Sequence, residues 1–172
     1  MIVGVRRGLH KVSIGVSWDL APSTAQLDLD IAAFVLPAGG IVDSDHDFVF
    51  FNNLSACGGA IKLNVDSAVF HGWKEEMTVD TAALPDRIER VVIAICSYGG
   101  EALFRDFPAG RVELWDSDAG QLARYDLAAG FPEDSAMVYA DLRRDGDRWI
   151  LVARGERFDD LASIARSMGV KV

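Results

Sequence analysis

The stretch from Leu27 to Asn53, LDLDIAAFVLPAGGIVDSDHDFVFFNN, constrains this chain more than any other. It reads as a strand, a tight turn at Pro37-Ala38-Gly39-Gly40, a short acidic loop, and a second strand through Phe48-Val49-Phe50-Phe51. Five carboxylates (Asp28, Asp30, Asp43, Asp45 and Asp47) sit among residues with the pattern of a core. Residues two apart on an extended strand point to one face. Asp28 and Asp30 therefore share a face, and Asp45 and Asp47 share one if the extended backbone starts by Asp45. Clustered carboxylates repel, and each raises its neighbour's pKa unless a positive charge intervenes. No Lys or Arg stands between Lys11 and Lys62 in the chain. A hard divalent cation held by oxygen ligands is the simplest physical answer, and calcium suits an irregular set of them. The alternative is a solvated, charge-rich loop face, because the spacing is not the DxDxDG of an EF-hand.

Elsewhere short strands separated by turn signals dominate. Val12, Ile14, Val16 and Trp18 alternate with Ser13, Gly15 and Ser17. Gly58-Gly59 turns the chain into Ala60 to Val65, and Met77 to Asp80 is another short strand, followed by one helical turn near Thr81 to Pro85. Arg87 to Tyr98 is apolar on both faces over its middle, as a central strand between two layers requires. Arg111 to Asp116 and Gln121 to Leu127 form one hairpin, and Ser135 to Arg144 and Asp147 to Gly155 form a second across Asp145-Gly146. Phe158, Leu161, Ile164, Ala165 and Met168 recur at helical spacing, with Gly169 in a stop position. The pattern predicts an all-β fold, a sandwich of two mainly antiparallel sheets with a C-terminal helix, in one domain over residues 1–172.

Charge narrows the function. The net charge of −9 is concentrated between Asp19 and Asp80. That segment holds Asp19, Asp28, Asp30, Asp43, Asp45, Asp47, Asp66, Glu75, Glu76 and Asp80 against only Lys62 and Lys74. Such a balance argues against nucleic acid and in favour of cations. No apolar run is long enough to span a bilayer and the start lacks the apolar core of a secretory signal, so no membrane insertion and a cytoplasmic location are expected. Cys96 lies in the apolar run VVIAIC and reads as a buried small hydrophobe, and Cys57 sits in a hairpin loop, so neither a disulfide nor a zinc site is expected. His46 in the acidic loop and His71 beside Gly72-Trp73 read as loop residues. There is no GxSxG elbow, HExxH helix, P-loop or GxGxxG. Asp28 and Asp30 could in principle do glycosidase-style acid and base work, which needs carboxyl groups about 5 to 9.5 Å apart across a sugar, but two neighbours on one strand face suit a shared metal better. The expectation is a non-enzyme.

The segments IGVSWD (Ile14 to Asp19), LDLDIAAFVL (Leu27 to Leu36), SDHDFVFFNN (Ser44 to Asn53), GGAI (Gly59 to Ile61 with the preceding Gly58), RYDL at Arg124 to Leu127, and the closing hairpin and helix together resemble the TerD family of tellurium-resistance and stress-response proteins. The resemblance covers nearly the whole chain. It implies a calcium-binding β-sandwich without catalytic machinery, with ligands at Asp28, Asp30, Asp45, Asp47 and Asn52. Two later acidic motifs of the family are reduced here. One reads Val65-Asp66-Ser67 and keeps only Asp66, and the other reads Gly72-Trp73-Lys74-Glu75 and keeps only Glu75. A tryptophan supplies no ligand and a lysine adds positive charge, so the resemblance implies one weakened calcium site. The alternative is a metal-independent interaction paralogue in which Lys74 replaces the ion, with Trp73 and Phe70 as an exposed recognition patch. Partners implied by resemblance are other TerD-like domains and membrane-associated stress proteins.

Overall fold

The structure is a computed structural model that describes residues 8–19, 22, 26–65, 72–98 and 102–172. Its strands are β1 (Lys11–Ser17), β2 (Leu29–Pro37), β3 (Phe48–Val49), β4 (Ser55–Ala56), β5 (Ile61–Asn64), β6 (Glu75–Asp80), β7 (Ile88–Ser97), β8 (Arg111–Asp116), β9 (Gly120–Asp126), β10 (Ala136–Asp145) and β11 (Arg148–Phe158). A one-turn helix, α1 (Leu127–Gly130), follows β9, and α2 (Leu161–Ser167) closes the fold. Among the described residues the strands form two sheets, in the orders β4-β5-β6-β1-β8-β9 and β11-β10-β7-β2-β3, and every pairing is antiparallel.

The apolar runs of β2 and β7 explain themselves once both faces are followed. Ile31, Ala33, Val35, Val91, Ile93 and Ile95 enter the core between the sheets, opposite Val12, Ile14 and Val16 of β1. The intervening Ala32, Phe34, Leu36, Val92, Ala94 and Cys96 enter a second core with Ile164 and Ala165 of the C-terminal helix and Met168 at its end. A strand covered on both faces has no solvent side on which to place polar residues. β7 is the middle strand of its sheet, as the unbroken run from Val91 to Cys96 predicts. Both cysteines are free thiols, and Cys96 is buried.

The last helix is shorter than its hydrophobic spacing suggests. Phe158 ends β11, paired with Ala136, and the Asp160 carboxylate accepts from Ser163 N–H at 2.6 Å to start the helix after it. At the other end Val170 N–H donates to the Ala165 carbonyl and Gly169 N–H to that of Arg166, a Schellman pair made possible by Gly169 at φ +87°.

The acidic loop also departs from the expected extended form. Asp45–Asp47 is a 3-10 turn, closed by Asp47 N–H donating to the Ser44 carbonyl, and extended backbone begins only at Phe48. Asp45 and Asp47 therefore do not share a strand face. The aromatic strand is short as well: Phe50 and Asn53 exchange backbone hydrogen bonds, which turns the chain at Phe51-Asn52. Among the described residues no helix is long and apolar enough to cross a membrane.

Candidate functional site

Asp28 stands just before β2 and Asp30 is its second residue; spaced two apart, both reach one wall of an open cavity of about 310 Å³. Glu75 reaches it from the other sheet, and Lys74, Phe51, Val65 and Tyr98 complete the lining. Glu75 opens β6, where the alternation that buries Met77 and Val79 buries Glu75 too. Only 6 % of it is exposed. Its Oε2 accepts from Ile31 N–H at 3.4 Å, while Oε1 is buried with no hydrogen-bond partner among the described residues.

That placement sets the electrostatics. Burial, then Asp30 and then Asp28, push the Glu75 carboxyl up to about 8, against the pull of the Ile31 N–H. Burial and then Asp28 push Asp30 up to about 6. Asp28 is raised by burial, partly offset by the Leu29 N–H and by Lys74. Among the described residues the cavity thus gathers three acids beside a single basic side chain, Lys74. The Lys74 ammonium lies 5.4 Å from the centre of the Trp18 ring and makes no ion pair within 4.0 Å among the described residues.

The remaining sequence candidates lie elsewhere. Asp47 is buried and accepts from Arg87 Nη2 at 3.1 Å, and Asp43 accepts from Arg87 Nη1 at 2.9 Å. Arg87, distant in sequence, is the counterion that the segment itself lacks. Asp45 and Asn52 are exposed and line no part of the cavity. Asn53, not Asn52, ties the segment together, since its Nδ2 donates to the carbonyls of Phe48 at 2.7 Å and His46 at 3.3 Å. Asp66 lies outside the described residues.

Trp73 is not an exposed recognition residue. It is 1 % exposed, it covers Gly15 so closely that a Cβ there would lie 1.8 Å from the indole Cδ2, and its Nε1 donates to Glu113 Oε2 at 2.9 Å. Phe70, named with it, lies outside the described residues. Sequence reading missed the aromatic rim instead. Phe34, Phe48 and Phe50 stack in series with centroids 4.5 and 4.3 Å apart, and Phe50, Phe51 and Tyr98 continue edge to face. The ladder runs from the helix-side core to the cavity mouth, where Phe51 and Tyr98 are exposed. The doubled Phe50-Phe51 after an acidic loop was its only trace in the sequence.

Three carboxylates with an orphaned buried oxygen have the chemistry of a site for an oxygen-preferring cation. Among the described residues they do not close into a group of three or more acid, His or Cys side chains able to hold an ion by themselves.

A family model described as the TerD domain matches residues 3–167. The chain is 27% identical to the tellurium resistance protein TerD of Serratia marcescens, over 94% of this chain and 88% of that one. It is 30% identical to general stress protein 16U of Bacillus subtilis, over 96% of this chain and 90% of the other. The solved structure of SAV2460, a protein described as of unknown function, superposes with a TM-score of 0.80 at 29% identity, covering 96% of this chain and all of that one.

Proposed function

This chain belongs to the TerD domain family, and on that premise we propose that it is a non-enzymatic, calcium-binding stress-response module that acts in the cytoplasm. The observation that carries the metal reading is Glu75 Oε1, a buried carboxylate oxygen without a hydrogen-bond partner among the described residues, in a cavity shared with Asp28 and Asp30. An unpartnered buried acid is costly, and a divalent cation would supply its partner. Asp28, Asp30 and Glu75 would hold the ion, whose contribution is countercharge that joins the start of β2 to the start of β6 across the two sheets. Calcium takes six to eight oxygens, so water would complete the set, which makes for a weak, single site. The names of the TerD and general stress relatives support the cellular setting, and other TerD-like domains or membrane-associated stress proteins are the proposed partners.

Calorimetric titration of the metal-stripped protein with calcium tests this. Binding in the micromolar to sub-millimolar range, lost in Asp28→Asn/Asp30→Asn, supports the site. No heat and no change in melting temperature at millimolar calcium would rule it out.

One observation favours a second reading. Lys74 lines the same cavity and lowers the Asp28 pKa, so it could serve as a built-in countercharge in a metal-independent interaction module. Calcium binding that emerges only in Lys74→Met would favour that reading.

A further inference from the structure

Asp141 on β10 is fully buried, and three guanidiniums from three adjacent strands converge on it. Arg143 donates to Oδ2 from Nε at 3.1 Å and Nη2 at 2.7 Å, and Arg154 Nη1 donates to the same oxygen at 3.0 Å. Arg90 Nη2 donates to Oδ1 at 3.2 Å, while its buried Nε lies 3.0 Å from Oδ2 without hydrogen-bond alignment. Register explains the convergence. Arg143 pairs with Arg90, and Asp141 pairs with Val92 on one side and Val152 on the other. All lie on the sheet face that α2 covers further along, at Ala136 and Val138.

A single carboxylate is neutralised by one guanidinium. Here there are three, and among the described residues only Glu156, which accepts from Arg154 Nη2, offsets the excess. The cluster is net positive in a chain of net charge −9. Each guanidinium has five N–H donors and commits no more than two of them to these acids. The three side chains remain 25, 42 and 26 % exposed. Planar donors held in place by a buried acid, with unused N–H groups at a half-desolvated surface, match what oxyanion recognition requires. We infer that this face carries a second site, for a phosphoryl-type oxyanion, with Arg90, Arg143 and Arg154 as donors and Asp141 as the residue that positions them. It is separate from the acidic cavity. Asp30 pairs with Cys96 and Leu36 with Arg90, six residues or about 20 Å apart along β7.

Inorganic phosphate titrated against the whole chain at constant ionic strength, balanced with chloride, tests the site through melting temperature and the arginine Nε–H signals in NMR. The expected result is a saturable rise in melting temperature with shifts confined to the three arginine signals. Arg143→Gln should weaken the apparent affinity by at least about fivefold. If that variant fails to fold, Arg154→Gln replaces it. Phosphatidylcholine vesicles with and without phosphatidic acid separate the two sources of such a group. Retention on the acidic vesicles that is lost in the variant assigns a lipid headgroup, and a phosphate response without retention assigns a free anion. No phosphate-specific response and no retention overturns the inference. So does a response that the variant leaves unchanged, which would mark the cluster as a clamp between strands only.

Discussion

Glu75 occupies a position that the strand's own alternation marks for an apolar side chain, and the consequence is a pH dependence of definite sign. Its carboxyl is raised in the fold from the ordinary 4.5 to about 8. A group raised on folding leaves stability intact below its unfolded pKa and removes it as pH climbs through the folded one. The metal-free protein should therefore lose stability between about pH 4.5 and 8, and Asp30, raised from 3.8 to about 6, adds to the loss at the acid end of that window. Glu75→Gln should flatten the slope, as followed by urea unfolding at pH 5 and pH 8; an unchanged slope would show that Glu75 ionises without penalty. Trp73 and Gly15 form the other residue-scale dependence. Gly15→Ala has no room beneath the indole and should cost about 3 kcal/mol or more by displacing it. Trp73→Phe keeps bulk, loses the bond to Glu113, and should cost about 1–2 kcal/mol. Equal losses in the two variants would argue that the close approach is relaxed at little cost.

Among elements, the acidic turn shows how a charge-rich loop is tied down by an arginine distant in sequence. Arg87, just before β7, reaches across to Asp47, whose side chain is 6 % exposed, and to Asp43, at 55 %. Asp47 is buried but Arg87 is 45 % exposed, so removing Asp47 strands no buried charge and costs mainly its charge-assisted hydrogen bond, whereas the exposed pair to Asp43 contributes little. Asp47→Ala is expected to cost about 1–2 kcal/mol and Asp43→Ala under about 0.5 kcal/mol, by chemical denaturation. Similar small losses would mean that the turn stands on its backbone bonds. The sequence indicated the turn's acidity but not its counterion, because Arg87 lies in a separate segment and only the fold brings it there. The hairpins at Ser117-Asp118-Ala119-Gly120 and Asp145-Gly146 needed no such help, since local turn chemistry determined them.

At the scale of the molecule, the start of β2 brings acids to the cavity, while the basic cluster lies towards the other end of the same sheet. If calcium joins the two sheets at the cavity, it should raise the melting temperature with free ion concentration, and chelation should reverse the rise. Lys74→Met removes a positive charge from the cavity wall and should tighten calcium binding by roughly tenfold, about 1.4 kcal/mol. Unchanged affinity would place the Lys74 ammonium with Trp18 and out of the ion's field.

Much of this protein was determined by sequence alone. The alternation of β1, the doubly apolar β2 and β7, the turn glycines and the helical spacing at the end each follow from local periodicity, and together they specify two antiparallel sheets and a closing helix. The pairing of Asp28 with Asp30 was legible for the same reason, since residues two apart on a strand share a side. Tertiary structure alone decided which other acids join them. It brought in Glu75 from the opposite sheet, gave Asp47 to Arg87, buried Trp73 over Gly15, and gathered Arg90, Arg143 and Arg154 around Asp141. The physical reason is range. Propensity and periodicity act over a few residues, whereas burial and charge pairing act between strands whose adjacency exists only once the sheets have formed.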